Sequence, residues 1–65
     1  MMAAKRTLQE REKELRSLMS TQTGRDEIQE LATRYCRVSG KLKPAGTSVI
    51  TYIVVYEREQ GLIEG

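Results

Sequence analysis

Histidine, tryptophan and phenylalanine are absent from this 65-residue sequence, and cysteine and proline occur once each, as Cys36 and Pro44. Without imidazole, a metal centre loses its commonest nitrogen ligand and a nucleophile loses its commonest base. One cysteine cannot close a disulfide within the chain, so both usual staples of a mini-domain are missing. A chain this short buries only about 60% of the surface its unfolded form exposes, which makes its core marginal and self-association an expected supplement. Long apolar runs are absent too. In "MMAAKRTLQERE" no hydrophobic stretch follows Lys5 and Arg6, so neither a secretory leader nor a membrane anchor is expected. The single run of apolar and β-branched residues, 49–56, is far too short to cross a bilayer. A reducing, cytoplasmic setting is the expectation.

No catalytic constellation can be assembled from what remains. The carboxylates fall on charge-mixed stretches suited to solvated pairing, and the hydroxyls of Thr47, Ser48 and Thr51 have no evident base. The sequence therefore predicts no enzyme, no cofactor, no bound metal and no small-molecule substrate. A Gly-Lys-Ser/Thr phosphate loop is likewise missing from "GKLKPAGTS", because Thr47 follows Gly46 with no lysine between them.

Net charge is only +2, but its distribution is uneven. No acidic residue occurs from Leu31 through Tyr56, and Arg34, Arg37, Lys41 and Lys43 all fall in that span. Such a run serves either to solvate a connecting loop or to contact phosphates.

Two helices are marked by their ends and their apolar spacing. Thr7 and Glu10 form a capping box, and good helix formers follow, so a helix is predicted over about 8–20 with a narrow stripe of Leu8, Leu15, Leu18 and Met19. Glu12 with Arg16 and Glu10 with Lys13 are spaced to pair along it. Residues 1–6 are expected to form a flexible tail. A second helix is predicted over about 25–37, with Thr23 and Asp26 as a weaker cap. Ile28, Leu31, Ala32, Tyr35 and Cys36 recur at i, i+3, i+4, i+7 and i+8, a face that must be core and that makes Cys36 a buried, inert thiol. Gly40, Pro44 and Gly46 then punctuate a loop.

The stretch "TSVITYIVVYEREQGLI", residues 47–63, reads two ways. Eight consecutive β-branched or aromatic residues favour a strand by propensity. A strand over 48–57 has no partner of matching length and wants both faces buried, so it requires an α+β fold paired across a homodimer. A helix needs no such partner. Thr47 or Ser48 can cap it, "EREQ" extends it, and Gly61 can end it in a left-handed conformation. The sequence thus predicts one small all-α domain over 1–65, its third helix spanning about 48–60. The apolar arc of that helix covers roughly 200°, more than a monomer's core absorbs. Ile50, Tyr52, Val54, Val55 and Tyr56 are the predicted contact residues.

The ending "YEREQGLI" resembles the close of a recognition helix in winged-helix regulators, in which Gly-Leu-Ile begins the wing. It departs from that pattern in the loop of about ten residues before the third helix, where a turn of about 3–4 is usual, and in a sequence that ends where the wing would begin. The helix also offers base edges only Thr51 and Arg58, and no family follows from it. Two functional expectations stand beside one another. One is a non-catalytic interaction module that contacts itself as a homodimer or another protein as an adaptor. The other is a helix-turn-helix-like nucleic-acid binder using Arg34, Arg37, Lys41 and Lys43 of the 34–43 region.

Overall fold

A computed structural model describes residues 5–65, and within them the chain is an all-α domain of three helices. These are α1 (Leu8–Leu18), α2 (Gln22–Ser39) and α3 (Val49–Glu59). The disputed stretch is therefore helix over Val49–Glu59, and the strand alternative is excluded. Packing outweighs β-propensity in α3: Ile53 and Val54 are 0% and 2% exposed, and each such burial contributes about 1.5–3 kcal/mol, more than the residue loses in helix propensity.

Short-range signals set most helix ends. The Thr7 hydroxyl accepts from the Glu10 amide while the Glu10 carboxylate accepts from the Thr7 amide, completing the capping box. That use of Glu10 explains why it does not pair with Lys13, whereas Glu12 does meet Arg16 at 2.6 Å. Ser48, rather than Thr47, caps α3 by accepting from the Thr51 amide at 3.1 Å. At the far end of α3, Gly61 adopts φ 75°, the Gly61 amide donates to the Arg58 carbonyl and the Leu62 amide to the Glu57 carbonyl. This paired reversal is a Schellman motif.

Three ends depart from expectation. Helix α1 stops at Leu18 and α2 begins at Gln22, with Thr21 rather than Thr23 as its cap, accepting from the Gly24 amide at 2.9 Å. The turn between them is only three residues, so it needs close approach: Gly24 is buried, and a Cβ there would lie 1.9 Å from the Leu18 carbonyl oxygen. At its other end α2 runs on to Ser39, where Gly40 stops it in the left-handed region at φ 72°.

The core is Leu15 of α1, Ile28 and Ala32 of α2, Ile53 and Val54 of α3, and Ile63 beyond the Schellman turn. Leu8, Leu18, Met19, Leu31 and Tyr35 pack around it, half-buried. Having delivered Ile63 inward, the C-terminal segment lies along the start of α1. The Leu8 amide, an orphan donor in the first helical turn, donates to the Glu64 carbonyl at 2.6 Å, and the Glu64 amide donates to the Arg6 carbonyl at 2.8 Å. The flexible tail predicted over 1–6 lies largely outside the described residues; of it, Lys5 and Arg6 are described, and Arg6 carries this bond. No helix among the described residues is long and apolar enough to cross a membrane.

Candidate interaction surface

The residues predicted as contacts divide on the surface of α3. Val54 is spent in the core, and Ile50, half-buried, packs against that core. Tyr52, Val55 and Tyr56 remain half-buried and share a helical face with Glu59 and Gln60. That face is one wall of an open groove of about 450 Å³. Its other wall comes from the end of α2 and the following loop: Ser39, Lys41, Leu42 and Pro44. Leu42 is 87% exposed, the most exposed large hydrophobic side chain among the described residues. Isolated exposed apolar residues are ordinary, but here one stands over a groove floored by tyrosine and valine.

The walls are fixed in place. The Tyr56 ring stacks on Tyr35 of α2, with centroids 4.2 Å apart and planes 21° from parallel, which limits how far that wall can reorganise on contact. On the loop side the Lys43 ammonium donates to the carbonyls of Pro44 and Thr47, at 3.4 and 2.5 Å, closing the loop upon itself. Of the four predicted basic residues, Lys41 alone lines the groove. Arg34 and Arg37 are exposed on α2 outside it, and the Lys43 ammonium is occupied within its own loop.

Tyr52 has an unusual place in the groove. Its hydroxyl oxygen is buried and has no hydrogen-bond partner. The Cys36 side chain beside it, followed by burial, raises the Tyr52 ionisation above the ordinary phenol range. Cys36 itself is half-buried and lies outside the core cluster, which corrects the expectation of a buried thiol: it sits at the edge of α2's apolar face rather than at its centre. Tyr52→Phe deletes the unpaired hydroxyl without opening a cavity. It is expected to raise the urea unfolding free energy by about 1 kcal/mol. A loss of stability instead would mean that the hydroxyl has a partner.

Sequence reasoning missed the side chain that positions these elements. Glu57 is 3% exposed, and its carboxylate accepts from Arg11 of α1 through Nε at 2.8 Å and through a terminal nitrogen at 3.0 Å. The Tyr35 hydroxyl of α2 donates to the same carboxylate at 2.7 Å, so one group ties all three helices. Arg11 also donates to Glu14 at 2.5 Å, and Glu14 pairs with Arg6 at 2.6 Å. Reading the carboxylates as solvated was therefore wrong for Glu57. The available signal was its register, since Glu57 falls four residues after Ile53 on the buried stripe, where an anion demands a cation.

Glu57 in turn sets the protonation of its partners. Its hydrogen bonds hold the Arg11 guanidinium charged beyond its ordinary range. Burial first, and Glu57 second, push the Tyr35 phenol up to about 12. Because this pKa is raised on folding, Tyr35 contributes stability that is complete below 10.0 and is lost as pH rises toward about 12. Tyr35 thus keeps its proton, and with it the donor that orients the ring stacked on Tyr56.

Other concavities offer less. A larger depression, about 650 Å³ along α1, is lined by Arg6, Glu10, Lys13 and Glu14 among others, of which Arg6 and Glu14 already pair with one another and Glu10 serves the cap. Among the described residues no three His, Cys, Asp or Glu side chains cluster in a way that could hold a metal ion. Comparison with protein-family models, with curated proteins and with solved structures found no match.

Proposed function

We propose that this protein is a small non-catalytic interaction module of the reducing cytoplasm, which contacts a protein through the groove between the 40–48 loop and α3. One observation supports this above the rest: Leu42, 87% exposed, stands beside Tyr52, Val55 and Tyr56 around a single open groove. Interface cores are enriched in such aromatic side chains and depleted in charge. Of the four basic residues only Lys41 lines this groove, since Arg34 and Arg37 lie on α2 outside it and the Lys43 ammonium donates to carbonyls of its own loop.

Photo-crosslinking tests the reading. A benzophenone amino acid replacing Leu42 is expected to give a discrete crosslinked species in the producing cells, and the same probe replacing Gln29, exposed on α2 outside the groove, only background. Equal yields at the two positions, or no product from position 42, would overturn it.

A further inference from the structure

We infer that the occupant of this groove is a second copy of the same chain, related by a two-fold axis that runs along the groove. The inference rests on the groove being a contact surface and adds what fills it. Its two walls carry opposite charges: Lys41 on the loop wall, Glu59 on the α3 wall, both exposed. Among the described residues neither the Lys41 ammonium nor the Glu59 carboxylate has an ion-pair partner. A polyanion would meet Glu59 and a polycation would meet Lys41, so either is opposed on one wall.

A second copy is not opposed. Rotation about an axis along the groove places each loop wall over the partner's α3 wall. Lys41 then faces Glu59 of the partner subunit twice over, and each protruding Leu42 enters the tyrosine and valine side of the other groove. An axis across the groove would instead set Lys41 against its own copy, and like charges reject that alternative. The contact is self-complementary in the way a two-fold interface requires. A contact built on this one small groove falls short of the extended surface a stable interface needs, so the dimer is weak and reversible.

The test is sedimentation equilibrium on the full chain and on Lys41→Glu and Glu59→Lys, each alone and mixed in equal amounts. Both side chains are exposed and unpaired, so both variants keep the fold, which circular dichroism checks. The unaltered chain is expected to form reversible dimers that weaken with added salt. Each variant alone places two like-charged pairs across the axis and should associate about tenfold more weakly. Their mixture restores two opposite-charged pairs and should regain the original affinity. A chain that stays monomeric at about 1 mM, or a mixture no tighter than its separate components, would overturn the inference. A monomer that still yields a crosslinked product of another mass from position 42 would leave the contact surface standing and remove only the second copy. Loss of both results removes both.

Discussion

Arg11→Ala is expected to lower the unfolding free energy by about 3–5 kcal/mol, because it strands the Glu57 carboxylate, 3% exposed, without its cation. For a domain of this length the whole stability is only about 3–10 kcal/mol, so the substitution removes a large share of it. Urea denaturation followed by helical circular dichroism measures it. Removing the entire polar set tells a different story. The combined variant Arg11→Met, Tyr35→Phe, Glu57→Leu leaves no buried charge behind, since half-exposed Glu14 keeps Arg6, and should recover most of the loss, because a buried ion pair costs nearly as much desolvation as it returns in attraction. If Arg11→Ala cost less than about 1 kcal/mol, Glu57 would have to be solvated, and α3 would be rotated from the orientation that forms the groove.

Gly24→Ala is expected to destabilise by about 1–3 kcal/mol, against the direction of helix propensity, which favours alanine by up to about 1 kcal/mol. The added Cβ meets the Leu18 carbonyl oxygen at 1.9 Å and the Thr21 hydroxyl at 2.9 Å. The first of these is backbone, so it cannot turn aside as a side chain would. The end of α1 must move away from α2, at the cost of the Thr21 cap. Thermal unfolding of Gly24→Ala beside an alanine at exposed Thr23 separates the two effects, because Thr23 tests propensity alone. A stabilised Gly24→Ala would mean that the two helices do not approach at this point.

Much of this architecture was legible because helix ends are written in three or four adjacent residues. Thr7 with Glu10, Ser48 before Val49, and Gly61 after Gln60 each act on the amides or carbonyls beside them, and the sequence alone located the first and the last and narrowed the second to Thr47 or Ser48. The start of α2 was misplaced since Thr21 and Thr23 are both acceptable caps locally. What chose between them was the approach of α1 at Gly24, a contact between elements. The same distinction governs the groove. Helical spacing places Val54 on the broad apolar arc of α3 and Val55 beside that arc, and both read as contact residues; packing against the other two helices takes Val54 inward at 2% exposed, while Val55 lines the groove. Lys43 read as a free cation until the loop folded its ammonium onto the Thr47 carbonyl. Glu57 read as solvated because its partners, Arg11 and Tyr35, are 46 and 22 residues away.

The contact surface is two-walled, so its most direct test joins the walls. Crosslinking from position 42, on the loop, is measured with and without Val55→Glu, on α3. The product is expected from the first and lost from the second, while the helical content stays the same. A product that survives Val55→Glu undiminished would contradict the groove as the place where this protein makes contact.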